Sequence, residues 1–577
     1  MAKKKKDAGL DPIVQAGKER YKIATEGWQH IYDEASDDLK FVYDVDEGQW
    51  PSAIRTAREK DGRPIITVNK LQKFVRQLRG DLQMNRPRIK VIPVDNAADP
   101  QMAELYNGLI RQIEYLSTAN VAYDTAYMHA ISSSIGFFRL VTKYIDDNSF
   151  DQDIFIKRVL NPLAVHLDPS AIEFTFEDGK YAFVEELVDK EEFKRAYPKA
   201  TETDFDGHKR LFGDWLYGDK VRVVEYFYKK PIQKKIVLLQ TGEVLELSDI
   251  ITIEEIKARG GEITRERTVD AHEIKWCRMN GVEVLMEADW PGKYIPIIPV
   301  LGDEVVVDGK KYYLSLARGA KGPQEMYNYW ATSATETVAL APKNPFMVDH
   351  RQIKGFENEW EEANRTNRMY IRYNAVAGLQ KPAREPQTQI PSAIMAMMQT
   401  TAFDIEDHLG RYEASKGQAS NERSGKAIMA RIGQSDKGTF TFVDNMSRAI
   451  VFGGKQIIDL IPKIYDTKRA LQIMGDDGTP KQVTVNEPVP GPNGVQMQND
   501  LSVGKYDIIA TVGASFGSKR QEMVQMMAES MQYAPTLAPV IAPLIFKYAD
   551  FPGAQEVYQE IKNAVEKMKE EEANKQK

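Results

Sequence analysis

The stretch LARGAKGPQEMYNYWATSATETVALAPKNPFMV, residues 316–348, is where the chain changes style. Before it, short aromatic and β-branched runs alternate with turn residues. After Gly322-Pro323 the reading is helical, from Pro323 to a stop at Pro342, as a proline at the first helical position and another just past the end predict. Small residues (Ala331, Ser333, Ala334, Ala339, Ala341) sit among Met326, Trp330 and Val338. A helix face of small residues permits close approach of a second helix.

Working outward, residues 343–389 read as a compact insert. It holds a short strand at Phe346–Val348, a charged helix with Trp360, a strand RMYIRYN (368–374) and a Pro/Gln-rich exit. A second helix follows at 391–413, with Ile394, Met397, Met398, Phe403, Ile405 and Leu409. Then ASKGQASNERSGKA (414–427) has almost nothing to bury and reads as a loop. The stripe Val443, Met446, Ile450, Ile457, Leu460 and Ile464 marks a long helix, with a bend expected at Gly453-Gly454. Strands are expected at 470–486 and 505–513 with a long loop between them, and a helical C-terminus carries Met523, Met526, Met527 and Met531 on one face.

Upstream, helices are expected at 12–45 and 67–84, the latter on the stripe Val68, Leu71, Val75, Leu78 and Leu82. PRIKVIPV (87–94) alternates as a strand. Residues 97–133 form one long helix or a pair, entered through Asp99-Pro100. Strands follow from 136, with more at 221–229, 235–240, 273–280, 284–288 and 294–300, and a helix at 189–196. The fold class is α+β.

The 577 residues carry 77 Lys and Arg against 84 Asp and Glu, a net charge of −7, and a single cysteine. Cys277 excludes a disulfide framework or a multi-cysteine zinc site, and beside Trp276 it reads as a structural thiol. The longest apolar run, Tyr533 to Phe546, is broken by Pro535, Pro539 and Pro543 and is shorter than the ~20 residues of a membrane span. Net acidity argues against tight wrapping of nucleic acid.

Machinery for catalysis is not recognisable. SNERSGKA (420–427) places Ser420 and Ala427 where a phosphate-binding loop needs glycine and a hydroxyl. The seven histidines are scattered, with no pair at i, i+4, so no metal site and no cofactor are expected. The acidic pairs Asp146-Asp147, Glu185-Glu186 and Glu254-Glu255 read as solvated charges. Residues 55–90 carry eleven basic against three acidic side chains. Pairing with acidic neighbours in this chain or another copy is the favoured reading; contact with nucleic acid is the alternative.

Four segments in order, VNKLQKFVRQLRGDLQMNRPRIKVIPV (68–94), LNPLAVHLDPSA (160–171), the 316–348 stretch and SNERSGKAI (420–428), give the chain a resemblance to the portal proteins of tailed bacteriophages, most closely the podovirus-like, short-tailed type. The resemblance implies a ring subunit, usually one of twelve, and not an enzyme. It implies a wing (1–320), stem helices (321–342 and 390–413), a clip between them (343–389), a channel loop (414–427), a long helix with wing return strands (428–517) and a short α-helical crown (518–577). It implies that Lys416, Gln418, Asn421, Arg423, Ser424 and Lys426 face DNA, and that Met326, Trp330, Ala334, Val338, Met397 and Ile405 pack stem against stem. The implied partners are double-stranded DNA in the channel, terminase and tail adaptor at the clip, and capsid and scaffold proteins at the wing, with no membrane. The implied location is a special capsid vertex of the virion, after assembly in the host cytoplasm. A nucleotide-dependent enzyme acting on DNA and a capsid-associated protein that forms no ring stand as alternatives.

Overall fold

The computed structural model describes residues 11–84, 87–94, 99–201, 220–240, 244–247, 262–339, 346–384 (apart from 364 and 367), 391–409, 440–475, 480–491 and 494–512, with isolated positions at 253, 256 and beyond 525. The chain divides into two compact units. One comprises 1–36, 75–315 and 439–577; the other comprises 37–74 and 316–438.

The larger unit begins with the first part of α1 (Pro12–Tyr43). The second unit takes the rest of that helix, then α2 (Ser52–Lys60) and the start of α3 (Leu71–Met84). Back in the larger unit, β1 (Pro87–Pro93) leads to α4 (Pro100–Leu116) and α5 (Ala119–Ser133), so 97–133 is a helix pair. Asp99 caps α4 by accepting the Gln101 N–H at 2.8 Å, with Pro100 at the first turn. The pair breaks at Thr118, whose backbone is left-handed.

Two antiparallel sheets follow. One is β10-β2-β3, from β2 (Ile135–Tyr144), β3 (Gln152–Arg158) and β10 (Ile297–Leu301). The other runs β4-β5-β6-β8-β9, with β7 also on β6. It is built from β4 (Val165–Leu167), β5 (Tyr181–Asp189), β6 (Lys220–Leu239), β7 (Val244–Glu246), β8 (Ile263–Met279) and β9 (Val284–Trp290). The two strands expected at 221–229 and 235–240 are therefore one. Pairing with β8 continues across the Pro231 region, because that stretch meets a partner nearly as long. Helix α6 (Lys190–Ala196) follows β5, and β11 (Asp303–Val307) forms a hairpin with β12 (Lys310–Leu314).

In the second unit come α7 (Lys321–Ala339), β13 (Phe346–Met347), α8 (His350–Ile353), α9 (Glu357–Glu361), β14 (Ala383–Arg384) and α10 (Ser392–His408). Residues 368–374, expected as a strand, form no ladder. They are held by the Trp360 indole N–H on the Arg372 carbonyl and the Asn374 N–H on the Gln352 carbonyl, each at 2.8 Å.

The larger unit resumes with α11 (Phe440–Ile464), β15 (Arg469–Met474), β16 (Pro480–Val485), β17 (Glu487–Gly491), β18 (Gly494–Gln498) and β19 (Tyr506–Val512). The long loop expected before 505 thus contains a hairpin, β17–β18. β19 pairs along the whole of β1, so late chain closes on early chain. Gly453 and Gly454 make no break in α11. A Cβ on Gly454 would come 2.5 Å from Ile508 Cδ1, and one on Gly453 would come 3.1 Å from the Phe138 ring. Their absent side chains let the helix lie close on the β1–β19 pair and on the β10-β2-β3 sheet.

The core of this unit stacks Trp28 of α1 between Tyr32 and Tyr313, each at 5.9 Å. Cys277 is buried in the adjoining cluster, and burial pushes its thiol up to about 12, as a structural thiol requires. Beside it lies a charged network that the acidic-pair reading missed. Glu185 is buried rather than solvated. It accepts hydrogen bonds from Tyr21 and, at 2.6 Å, meets His166 Nε2, whose Nδ1 lies 2.9 Å from the Tyr32 hydroxyl. Arg222 approaches it at 3.6 Å. Glu186 points outward to Arg278.

Burial opposes the Glu185 carboxylate, but the hydrogen bond and charge of His166, with Arg222 and Tyr21, outweigh it and hold its pKa below the usual value. A depressed carboxylate contributes stability that is fully present above the unfolded-state value of about 4.3. That stability is lost as pH falls through the lower folded value. The unfolding midpoint is therefore expected to drop as pH falls below about 5. Glu185→Gln should flatten that dependence and cost ~3–5 kcal/mol at neutral pH by leaving its buried partners unbalanced. Calorimetry across pH on both proteins checks this.

Candidate assembly helices and their support

Helix α7 carries its decisive side chains every four residues: Gln324, Asn328, Thr332 and Glu336. That spacing places them on one helix face. Gln324, Asn328 and Thr332 are fully buried and polar, a combination that demands matched partners. The partner is the backbone of 64–70, which runs alongside. Thr332 Oγ1 both accepts from the Ile66 N–H and donates to its carbonyl, each at 3.2 Å. Asn328 accepts from the Val68 N–H at 3.0 Å. Gln324 donates to the Val68 carbonyl at 2.9 Å and accepts from Lys70 N–H at 3.1 Å. Asn328 also donates to Gln49 at 2.9 Å. The helix side chains thus do for this segment what a neighbouring strand would do.

This contact explains why the helix expected over 67–84 begins only at Leu71. The amides of Val68 and Lys70 already have side-chain acceptors. The same face ends in charge. Glu336 is nearly buried and pairs with Arg58 at 2.8 Å and Arg63 at 3.0 Å. At the start of α7, Lys321 and the preceding Arg318 hold the fully buried Asp38, at 2.7 and 2.8 Å. Lys70 lies over the Tyr327 ring at 4.2 Å.

Part of the 55–90 basic stretch is accounted for within the chain. Arg58 and Arg63 serve Glu336, and Arg55 pairs with Glu59 at 3.0 Å. Lys73, Arg76, Arg79 and Lys90 are exposed, and Arg86 lies outside the described residues. Burial pushes the Glu325 carboxyl of α7 up, with Asp37 adding to the rise and Lys321 opposing it.

Helix α10 packs on α7. Of the expected stem residues, Ile405 is buried and Trp330 and Ala334 are half-buried, while Met326, Val338 and Met397 are exposed. Tyr329 of α7 and Met395 and Phe403 of α10 are exposed as well, Phe403 at 62%. The buried indole N–H of Trp330 has no hydrogen-bond partner among the described residues. Both packed helices thus leave several large apolar side chains exposed. Lys416, Gln418, Asn421, Arg423, Ser424 and Lys426 lie outside the described residues, as do Met523 and most of the segment expected as a crown.

Sequence reasoning missed Gln324, Asn328, Thr332 and Glu336. Their signal was a polar repeat at i, i+4, i+8 and i+12 inside a helix, interleaved with the small residues of the same stretch. Among the described residues, no group of acidic, histidine or cysteine side chains could hold a metal, and no helix is long and apolar enough to cross a membrane.

The Asn328→Leu variant should strand the Val68 N–H and the Gln49 side-chain oxygen in the interior, costing ~2–6 kcal/mol at ~1–3 kcal/mol for each buried group left unmade. Met326→Ala, on the solvent side, should change the stability of the isolated chain by no more than ~0.5 kcal/mol. Denaturant titration compares the two, and limited proteolysis should show Asn328→Leu cut faster within 37–74.

The sequence model of the phage P22-like portal protein family matches residues 18–577. A portal protein of Acyrthosiphon pisum secondary endosymbiont phage 1 is 26% identical over 517 residues, which span 84% of this chain and 71% of that protein.

Proposed function

This chain belongs to the phage P22-like portal protein family, and we propose from that membership that it is the subunit of a head-to-tail connector ring at a unique capsid vertex. The ring is a conduit for double-stranded DNA during packaging and ejection, and twelve copies form it. The observation that carries the reading is the match over nearly the whole chain, from residue 18 to 577.

The arrangement of the second unit supports it. Helices α7 and α10 are the stem, and the insert 343–389 between them is the clip, where terminase and then the tail adaptor dock. The exposed Met326, Tyr329, Val338, Met395, Met397 and Phe403 are the surface that a neighbouring stem covers. Burial of large apolar side chains contributes ~1.5–3 kcal/mol for each one fully covered, repeated at every interface of a ring. Residues 37–74 brace the stem from behind through the α7 ladder. The wing, 1–320 with the long helix and return strands of 428–517, meets capsid and scaffold proteins, and 518–577 forms a short crown.

Charge sets how DNA passes. Twelve chains at −7 carry a total of about −84. An acidic ring repels phosphates over a Debye length of ~8–10 Å, so DNA is not gripped and can slide. The loop 414–427, with Lys416, Arg423 and Lys426 as its cations, touches the passing backbone transiently. The chain supplies no chemistry of its own, and the nucleotide-driven motor is a separate protein.

Twelve chains of 65.5 kDa should give a particle of about 786 kDa with a central hole. Native mass measurement and electron micrographs test this, and a monomer under all conditions would overturn it. Deleting 416–425 should leave ring assembly intact and impair DNA packaging or retention. Loss of assembly would make the loop structural. A Lys426→Ala variant that abolished a measured ATPase activity would replace the conduit with an enzyme.

A further inference from the structure

We propose that the tip of the β2–β3 hairpin of one copy docks into the recess between the β3 edge and the α4–α5 turn of the next copy. The contact rests on the ring reading above and gives that ring a specific interface in the larger unit.

The tip is a held knob. Ile145 N–H donates to the Asp151 carbonyl at 3.0 Å, Asn148 N–H to Asp146 Oδ1 at 2.7 Å, and Asp151 N–H to Ser149 Oγ at 3.0 Å. Arg469 of β15 braces its base, donating to the Gln152 carbonyl at 3.0 Å and lying 3.5 Å from Asp153. On this ordered turn Phe150 is 97% exposed, with Tyr144 and Ile145 exposed beside it and the carboxylates of Asp146 and Asp147 flanking them. Single exposed apolar residues are ordinary. Three on one ordered tip, ringed by carboxylates, have the composition of a contact surface.

The recess has the opposite character. β3 is the edge strand of its sheet, and Ser117 Oγ of the α4–α5 turn accepts its Ile156 N–H at 2.9 Å. Between strand and turn lies a cavity of about 440 Å³, lined by Leu116, Thr118, Val121, Phe155, Lys157 and Arg158. Leu116 and Val121 are about half exposed there, and Lys157 and Arg158 are exposed at its rim. The Lys157 ammonium is crowded by that of Lys143, a contact that lowers its pKa and that an incoming carboxylate would relieve. An aromatic tip with an acidic collar therefore meets an apolar floor with a basic rim.

Knob and recess are different surfaces of one chain. Joining them between copies is head-to-tail, the kind of contact that closes into a ring when its rotation permits. Charge complementarity is what favours a second copy as the occupant over an unrelated partner.

The test uses the full chain. Phe150→Cys chains mixed with Val121→Cys chains and oxidised should give a covalent dimer that neither variant gives alone; Cys277 is buried and does not compete. Asp146→Lys with Asp147→Lys, or Lys157→Asp with Arg158→Asp, sets like charges together and should weaken association by roughly a hundredfold, from a cost of several kcal/mol for like-charge juxtaposition. All four substitutions in one chain should restore it. Unchanged thermal unfolding of each variant shows that the fold survives. Wild-type rings with no cross-link and indifferent charge variants would remove this contact and leave the ring reading standing. A wild-type chain that never assembles would remove both.

Discussion

A helix face that is buried and polar must find donors and acceptors set at its own spacing, and in this chain it finds them in a strand-like backbone. Gln324, Asn328 and Thr332 rise along α7 by one helical turn each, ~5–6 Å, while the amides of Ile66, Val68 and Lys70 recur every second residue of an extended chain, ~6–7 Å. The two periods are close enough for three successive turns to match. Everything else in the second unit follows from that register. The extended segment cannot become helix, α3 starts late, and Arg58 and Arg63 arrive beside Glu336. With one face of α7 committed to 64–70, the small residues that suggested helix-on-helix packing share the helix with Met326, Tyr329 and Val338, which face solvent.

The larger unit solves a different problem. Its chain leaves within α1 and returns within α3, and leaves again after β12 and returns at α11. Such a unit holds together only if distant segments bind each other. The β1–β19 pairing does this through backbone hydrogen bonds, and α11 does it by packing its two glycines against Phe138 and Ile508. The buried Glu185–His166–Arg222 network adds directional bonds between α1 and the large sheet, where apolar packing alone would leave the helix free to slide.

Membership of the portal family gives these features a common sense. A subunit that sits in a ring must keep its own fold while offering large surfaces to identical neighbours. Polar, directional contacts inside each unit secure the fold without using up apolar surface. Large apolar side chains of α7, α10 and the β2–β3 tip are left exposed.

Local pattern was legible in the sequence because it is a property of neighbouring residues. Local pattern identified α1, α4, α5, α10 and α11, the Asp99-Pro100 entry, and the change of style at 316–348; a single cysteine excluded a disulfide scaffold; the order of segments carried the family. Pairing across long separations was not legible. Nothing near Val68 announces that Asn328 will take its amide, nothing in Glu185-Glu186 tells which carboxylate is buried, and Gly453-Gly454, which reads as a bend, marks a close contact instead. Those outcomes depend on which side chains the fold brings within ~3 Å, and hydrogen bonds and van der Waals contact act only at that range. The sequence by itself determined most of the helices and the family; the tertiary structure alone decided where strands pair, which polar groups are shielded from water and which apolar ones stay exposed.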